Sequence, residues 1–485
     1  MNLKEKLSGP VFGMIRKTAG ETHAKVYVVG GYVRDLLLHR PSSDIDCVVL
    51  GNGVDFARKV CDGLAAQGGE TPHLSVFEQF GTCKFEYNGM DIEFVGARKE
   101  TYTPGSRKPQ VSEGTLEDDQ HRRDFSINAM ALSLSNGNFG ELLDPFHGLE
   151  DLEAHCVRSH RDPDQSFEED PLRMLRAVRF ASQLYFDIEP DTFEAIMRNA
   201  AQIKTLSAER ITEEFNKILL SPQPSYGLRL LDAAGLLGLF FPEMLTLKGV
   251  ETIKGKSHKD NFEHTLEVLD HVAYAHGDLW LRWAALLHDI AKPRTKRFDA
   301  VRGWTFHSHE FVGGKMVPDI FRRFKLPLDE HMRFVRKMVE LHLRPIILAE
   351  DIVTDSAVRR LAFEAGEDID ALMTLGRADI TSKNREKVAR YKNNFVIVEN
   401  KLRELAEKDY IRNLQPVVSG TDIMDHYGLP PCKEIGVIKT RVKDAVLNGD
   451  IANTVEENWA LIREVAKELG LQEPATEKRR KDDGR

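Results

Sequence analysis

Two carboxylate pairs and one series of histidines stand out in this chain by residue type and spacing. Asp44-Ile45-Asp46 leads directly into the apolar run CVVL. In a strand, residues two apart project from the same face, so both carboxylates point into one site while Ile45 faces the core. Like charges that close repel unless a cation joins them, and a divalent metal is the natural candidate. A few hard oxygen ligands suit magnesium, which keeps waters and bridges to substrate phosphates. Asp91 and Glu93, again two apart in GMDIEFV, could complete such a site. Upstream, KVYVVGGYVRDLLL reads as a strand, then Gly30-Gly31, then a helix start. Glycines there let backbone N–H groups approach a phosphate, and the helix N-terminus adds partial positive charge. Further along, His264 lies on an amphipathic helix, His288-Asp289 closes WAALLHDIAK, and His309, His342 and Asp379 follow in FHSHE, VELHLRP and GRADI. Such a mixture of imidazoles and carboxylates suits Mn, Fe, Ni or Co as well as Mg.

The elements that must position these residues change character along the chain. From Ala24 to about Leu143, short β-rich runs (KVYVVGG, DIDCVVLG, CKFEYNGMDIEFVGA, AMALSL) mix with turns and one helical stretch at Val54–Gln67, which predicts an α/β or α+β domain. Thr103–Asp119, rich in Pro, Gly, Ser and charge, is expected to be a mobile loop of that domain. After Asp144 the strand signal disappears. Segments such as PLRMLRAVRFASQL, SAERITEEFNKILL, FEHTLEVLDHVAYAH and DEHMRFVRKMVELHL carry apolar residues at three- and four-residue spacing, the pattern of amphipathic helices. The final PATEKRRKDDGR lacks apolar residues and is expected to be disordered. No internal repeat is evident.

Composition narrows the function classes. At 485 residues there is room for about three domains, which excludes a lone binding module. A hydrophobic content of 41% with 29% charged residues is that of a soluble globular protein, and no apolar run approaches the ~18 residues of a membrane span. The net charge of −9 means that any nucleic-acid contact must come from local basic patches. Candidates are Arg294, Lys296 and Arg297; Arg322, Arg323 and Lys325; and Arg333, Arg336 and Lys337. Five scattered cysteines without a CxxC argue against a zinc ribbon or disulfide framework, and with no apolar signal segment a cytoplasmic location is expected.

GGYVRDLLL, SSDIDCVV, RRDFSINAMAL, LLDPFHGLEDL and FEEDPLRMLRAVRF occur in this order over Val26–Phe180, and together they resemble the bacterial-type CCA-adding tRNA nucleotidyltransferases of the tRNA nucleotidyltransferase/poly(A) polymerase superfamily. The resemblance implies a multidomain chain: a polymerase-β-like nucleotidyltransferase head (1–150), an all-α neck and body (151–256), an HD domain (257–385), a helical tail (386–472) and a disordered end (473–485). It implies addition of CMP and AMP from CTP and ATP to the tRNA 3′ end without a nucleic-acid template, and no protein or membrane partner. Asp44 and Asp46, with Asp91 or Glu93, would hold magnesium ions that activate the primer 3′-hydroxyl and steady the leaving pyrophosphate. Gly30, Gly31 and Arg34 match positions near the triphosphate, Arg122 and Arg123 supply fork-shaped donors, and Asp124 and Asn128 belong to the same motif.

In the motif Glu169–Arg176, Asp170 before Pro171 reads as a helix N-cap followed by Pro at the first helical position. Arg173 and Arg176 lie on one helix face, with Arg173 three residues from Asp170. An Asp acceptor beside an Arg donor mimics a base edge that accepts cytosine and adenine and refuses uracil and guanine, as the family is understood to do, and one carboxylate can serve both cap and base. The histidine series resembles HD metal-dependent phosphohydrolases, whose minimal metal set maps to His264, His288, Asp289 and Asp379; His309 and His342 match positions that extend it to two metals. Phosphate monoesters or 2′,3′-cyclic phosphates at RNA ends are the coherent substrate. Two other readings compete: an A-adding enzyme or poly(A) polymerase, and an HD phosphohydrolase with an inactive, RNA-binding head. Poly(A) polymerases of the superfamily usually carry a Gly-Arg-Arg-Phe-like motif where this chain has FEQFGTCKFEY, which favours tRNA.

Overall fold

The computed structural model describes residues 1–67, 71–77, 81–101, 110–350, 354–381, 385–408 and 415–473. They form two compact units, Met1–Thr246 and Leu247–Arg485.

The first unit opens on a helix, α1 (Pro10–Thr22), and a mixed sheet of seven strands. In chain order its members are β1 (Lys25–Val29), β2 (Asp44–Leu50), β3 (Ser75–Phe77), β4 (Thr82–Tyr87), β5 (Met90–Gly96), β8 (Ala131–Ser133) and β9 (Leu142–Leu143); in space they run β3-β4-β5-β2-β1-β8-β9. β6 (Arg98–Thr101) and β7 (Gln110–Glu113) form a separate antiparallel ribbon. The central strand β2 is antiparallel to β1 and parallel to β5, with Asp44 opposite Asp91 and Asp46 opposite Glu93. Alternation then sorts the faces: Ile45, Cys47, Ile92 and Phe94 are buried, whereas Asp44, Asp46, Asp91 and Glu93 are exposed. The buried face is covered by α3 (Gly53–Ala66), whose apolar stripe Phe56, Val60 and Leu64 falls at helical spacing and sets Phe56 5.7 Å from Phe94. Asn52 starts that helix by accepting the N–H groups of Val54 and Asp55 at 3.0 and 3.1 Å. Between β1 and β2, α2 (Gly31–Leu37) begins at Gly30, whose φ of +72° favours glycine.

Part of the stretch expected to be a mobile loop is regular structure. Residues 110–113 are β7, and α4 (Leu116–His121) starts in a capping box: the Thr115 hydroxyl accepts the Asp118 N–H at 3.2 Å, and the Asp118 carboxylate accepts the Thr115 N–H at 2.8 Å. These short pairings are invisible to a composition argument, because polar residues at a cap look like polar residues in a loop. The rest of that expectation, 103–109, lies outside the described residues, as do 474–485 of the expected disordered end.

The remainder of the unit is helical: α5 (Gly148–Glu153), α6 (Pro163–Glu169), α7 (Leu172–Leu184), α8 (Pro190–Asn199), α9 (Ala208–Leu219), α10 (Pro224–Ala233), α11 (Leu237–Phe240) and α12 (Pro242–Thr246). One small parallel pair, Cys156–Val157 with Asp187–Ile188, interrupts the all-helical expectation; two residues per strand leave too short an alternation to read.

The second unit carries α13 (Asn261–Tyr274), α14 (Leu279–Leu287), α15 (Lys292–Thr295), α16 (His309–Arg323), α17 (Glu330–Leu341), α18 (Leu343–Glu350), α19 (Asp355–Ala365), α20 (Ile369–Ala378) and the long α21 (Arg385–Lys408). Two short hairpins, Thr252–Ile253 with Lys256–Ser257 and Arg297–Asp299 with Gly303–Thr305, are its β-structure among the described residues. At its end α22 (Gly420–Tyr427), α23 (Lys433–Asn448) and α24 (Val455–Glu468) close around their own core of Val418, Ile423, Ile438, Val442, Ile462 and Val465. Among the described residues no helix is long and apolar enough to cross a membrane.

Candidate functional site

In the first unit the carboxylate face of β2 and β5 meets a wall of arginines. Protein packed around Asp46 pushes its pKa up, Arg123 pulls it down, and Asp44 and Asp119 push it up again. Burial and then Asp46 push Glu93 up as well, whereas Asp91 lies 3.5 Å from the Lys84 ammonium. Asp44 raising the pKa of Asp46, and Asp46 that of Glu93, leaves negative charge that a cation would relieve, and the hard oxygen donors on two adjacent strands fit a divalent ion.

The arginine wall is organised by a residue that the sequence reading passed over. Asp119, with no exposed side-chain surface, accepts Arg122 Nε at 2.9 Å through one oxygen and Arg123 Nε and Nη2 at 3.0 Å through the other. Burial alone would raise its pKa, but Arg123 and Arg122 hold it below the usual carboxylate range. The spacing Asp119, Arg122, Arg123 is the i, i+3, i+4 pattern of neighbours on a helix, a signal the sequence carried. Arg34 donates to both oxygens of Asp35 at 3.0 Å and to Asn128 Oδ1 at 2.8 Å. Buried Asp124 accepts from Asn128 Nδ2 at 3.2 Å and Arg176 Nε at 2.5 Å; Arg176 outweighs burial and keeps Asp124 ionised. Gly30, Gly31, Arg34, Arg122, Arg123, Asp124 and Asn128 are thereby linked into one neighbourhood by contacts among Arg123, Gly30, Arg34, Asn128 and Asp124.

Asp170 and Arg173 are each held, though not by one another. The first helical residue of α7 is Leu172, one later than expected, which puts Pro171 at the cap position; Asp170, the residue before it, accepts the Leu172 N–H through Oδ1 at 3.2 Å. Asp170 Oδ2 accepts Arg210 Nη2 at 2.9 Å. Arg173, 6% exposed, donates to Ser166 Oγ at 2.9 Å, Glu169 Oε2 at 3.1 Å and the Arg122 carbonyl at 3.0 Å. The last bond ties α7 to the arginine wall. Arg210, on α9, is a second residue the sequence reading passed over, and unlike Asp119 it carries no sequence signal, since its partner is 40 positions away.

The second unit assembles the histidine series. α13 supplies His264, the end of α14 His288 and Asp289, the start of α16 His309, the end of α17 His342 and the end of α20 Asp379. Two groups of ligand atoms result, His264 with His288 and Asp379, and Asp289 with His309 and His342, the atoms in each within 4.8 Å of one another. Asp289 joins the groups: Oδ2 lies 3.2 Å from His288 Nε2 and 3.4 Å from His264 Nε2, while Oδ1 lies 3.2 Å from His309 Nε2 and 3.8 Å from His342 Nε2. His264 Nε2 is 2.9 Å from Asp379 Oδ1. His288, Asp289 and His342 are at most 1% exposed. Four Nε2 atoms converging on the buried Asp289 carboxylate and the partly buried Asp379 carboxylate make a donor set that fits divalent metal.

The electrostatics follow from the packing. Burial would lower the His264 pKa, but hydrogen bonds to Asp289 and Asp379 lift it to about 9; His342, buried and next to His288, falls to about 3. Asp289 is held well below the usual carboxylate range despite burial, by His288 and then by Lys292, whose ammonium contacts it.

Of the basic clusters expected to make an RNA stripe, several are paired with acids. Lys296 lies 2.7 Å from Glu251, Arg336 2.8 Å from Glu340 and Lys337 2.8 Å from Asp368, and Arg322 contacts Asp319. Such pairing reduces the field they can project.

The Poly A polymerase head domain matches residues 26–158, the probable RNA and SrmB-binding site of polymerase A matches residues 185–247, and the HD domain matches residues 261–384. The chain is 33% identical over 364 residues to the A-adding tRNA nucleotidyltransferase of Deinococcus radiodurans, covering 73% of this chain and 80% of that protein. It is 34% identical over 376 residues to the Multifunctional CCA protein of Pseudomonas paraeruginosa, covering 72% and 84%. Among solved structures, the Bacillus stearothermophilus CCA-adding enzyme in complex with CTP aligns at a TM-score of 0.62 and 24% identity over 96% of this chain and 99% of that one. The Thermotoga maritima CCA-adding enzyme complexed with tRNA aligns at 0.59 and 22% over 97% and 99%. At those identities the likeness is one of fold.

Proposed function

The chain belongs to the tRNA nucleotidyltransferase family of the poly(A) polymerase superfamily, and from that premise we propose that it adds CMP and AMP from CTP and ATP to the 3′ end of tRNA. The observation that carries this reading is the face shared by Asp44, Asp46 and Glu93 beside the arginine wall of Arg34, Arg122 and Arg123. Asp44, Asp46 and Glu93 would hold magnesium, which when bound supplies the charge that activates the 3′-hydroxyl and steadies the leaving pyrophosphate. Glu93 is preferred to Asp91 because it stands opposite Asp46 in the register of β5 against β2 and its pKa responds to Asp46. Arg122 and Arg123, aligned by Asp119, present guanidinium edges to the triphosphate above Gly30. Arg173 and Asp170 read the base edge: each Asp170 oxygen retains a lone pair beyond its present partner, and Arg173 exchanges a partner for the ring acceptor. Incorporation of CTP and ATP into a tRNA lacking its 3′ end is the test. ATP incorporation alone, onto a tRNA already ending in CC, would make this an A-adding enzyme instead.

The HD centre is proposed as a phosphohydrolase site for phosphate monoesters or 2′,3′-cyclic phosphates at RNA ends. His264, His288, Asp289 and Asp379 would hold one divalent ion (Mn, Fe, Ni, Co or Mg), and Asp289, His309 and His342 a second. Bound metal supplies a Lewis acid and an activated water. Lys292 beside Asp289 offers a cation to the ester phosphate. Hydrolysis of a panel of phosphate esters with each metal tests the reading, and absence of turnover with all of them refutes it.

A further inference from the structure

Each metal-facing histidine presents Nε2 to the carboxylates, so what its Nδ1 touches decides how firmly the ring is aimed. Three of the four rings are anchored the same way. His288 Nδ1 lies 2.7 Å from the Ala285 carbonyl, His309 Nδ1 2.8 Å from that of Phe306 and His342 Nδ1 2.8 Å from that of Val339. In every case the acceptor is the backbone three residues back, which no side-chain substitution removes.

His264 is different. Its Nδ1 lies 2.8 Å from Thr381 Oγ1, a side-chain acceptor 117 residues away. The same hydroxyl oxygen accepts from Lys259 Nζ at 3.1 Å, and the Thr381 carbonyl accepts from that ammonium at 3.2 Å. Lys259 immediately precedes Asp260, which caps α13 by accepting the Phe262 N–H at 2.9 Å, and Thr381 follows Asp379 by two residues beyond α20. The contact therefore straps the helix start that carries His264 to the helix end that carries Asp379, the two ligands whose atoms stand 2.9 Å apart.

We infer that Lys259 and Thr381 are positioning residues for the first metal position, fixing the His264 ring through Nδ1–H and setting its spacing from Asp379, while the second position is independent of them. The inference rests on the metal-centre reading given above. With the proton on Nδ1 donated to Thr381, Nε2 is left free for a metal, and Lys259 fills a lone pair of the same oxygen. Valine at 381 keeps the shape and removes the acceptor, leaving a buried N–H without a partner and a ring free to turn.

The experiment is a Co²⁺ titration of chelator-stripped full-length protein, followed by visible absorption and calorimetric stoichiometry. Wild type is expected to bind one ion per ligand group of the histidine series, two in all, beside any ion at the open carboxylate face, whose contribution Asp44→Ala with Asp46→Ala in the same chain removes. Thr381→Val should weaken one of the two by roughly 10- to 100-fold, the usual effect of losing an outer hydrogen-bond partner, and leave the other at wild-type affinity. Thr381→Ser should restore it, and Lys259→Met should weaken the same ion less. Two ions at wild-type affinity in Thr381→Val, equal loss of both ions, or failure of serine to rescue would each overturn the inference. Absence of Co²⁺ binding in wild type would instead bring down the metal-centre reading, and the strap with it.

Discussion

In the first unit the paired carboxylates stand on a strand face open to solvent, and the cation that acts on Asp46 is Arg123, from the segment that follows α4. In the second unit the candidate ligands are almost wholly buried, four of them are imidazoles, and one carboxylate lies within reach of both groups. The difference matches two kinds of chemistry. An open carboxylate face suits an ion that arrives with a triphosphate and leaves with pyrophosphate. A closed set of imidazoles suits a resident ion, held while small esters come and go.

The sharpest way to break this comparison is to disable one site and measure both activities. Asp44→Ala or Asp46→Ala should cost nucleotide addition ~10³-fold or more, since a phosphoryl-transfer site without its metal ligands loses several kcal/mol of transition-state stabilisation, and should leave ester hydrolysis intact. His288→Ala with Asp289→Ala should do the reverse, and loss of both activities from either variant would show that the two sites are not separable.

Base selection sharpens what the open site does beyond catalysis. Arg173→Ala should collapse the preference for CTP and ATP over UTP and GTP, which a hydrogen-bonding site can hold at up to ~10⁴. Asp170→Ala should do likewise, while also costing about 1 kcal/mol for the lost hydrogen bond to the Leu172 N–H. A lowered melting temperature with unchanged nucleotide ratios in both variants would leave these residues a purely structural role.

A smaller effect tests the arginine wall. Asp119→Asn keeps the shape but removes the charge that aligns Arg122 and Arg123, and should raise KM for CTP and ATP together by roughly ten-fold, about the worth of one charge-assisted hydrogen bond, without changing their ratio. A change in the CTP to ATP ratio would place Asp119 with the base readers instead.

The mildest expected effect belongs to the closed site without metal. The His264 pKa is lifted from 6.5 to about 9, so its interaction with Asp379 and Asp289 stabilises the fold fully below pH 6.5 and is lost as pH rises toward 9. The melting temperature of chelated protein should fall across that window, and His264→Gln should flatten the dependence. An unchanged slope in that variant would mean that His264 is not the group responsible.

The sequence by itself determined which residues share a face. Strand alternation is local, so Asp44 and Asp46 opposite Ile45 were readable, as were the ordered motifs of the head and the order of the histidine series. Alternation on a second strand marked Asp91 and Glu93, but only the parallel register of β5 against β2 set each beside its partner. Tertiary structure alone decided the cross-chain partners: Arg173 on the Arg122 carbonyl, Asp170 on Arg210, Asp289 between two histidine pairs, and Thr381 behind His264. It also paired two lysines that looked like part of an RNA stripe, Lys296 and Lys337, with acids from other elements, whereas Arg322 and Arg336 pair within their own helices. The physical reason is range. Periodicity and caps are fixed by residues within a turn or two, whereas a buried donor takes whichever acceptor the packed chain brings within 3 Å, however far away it lies in sequence.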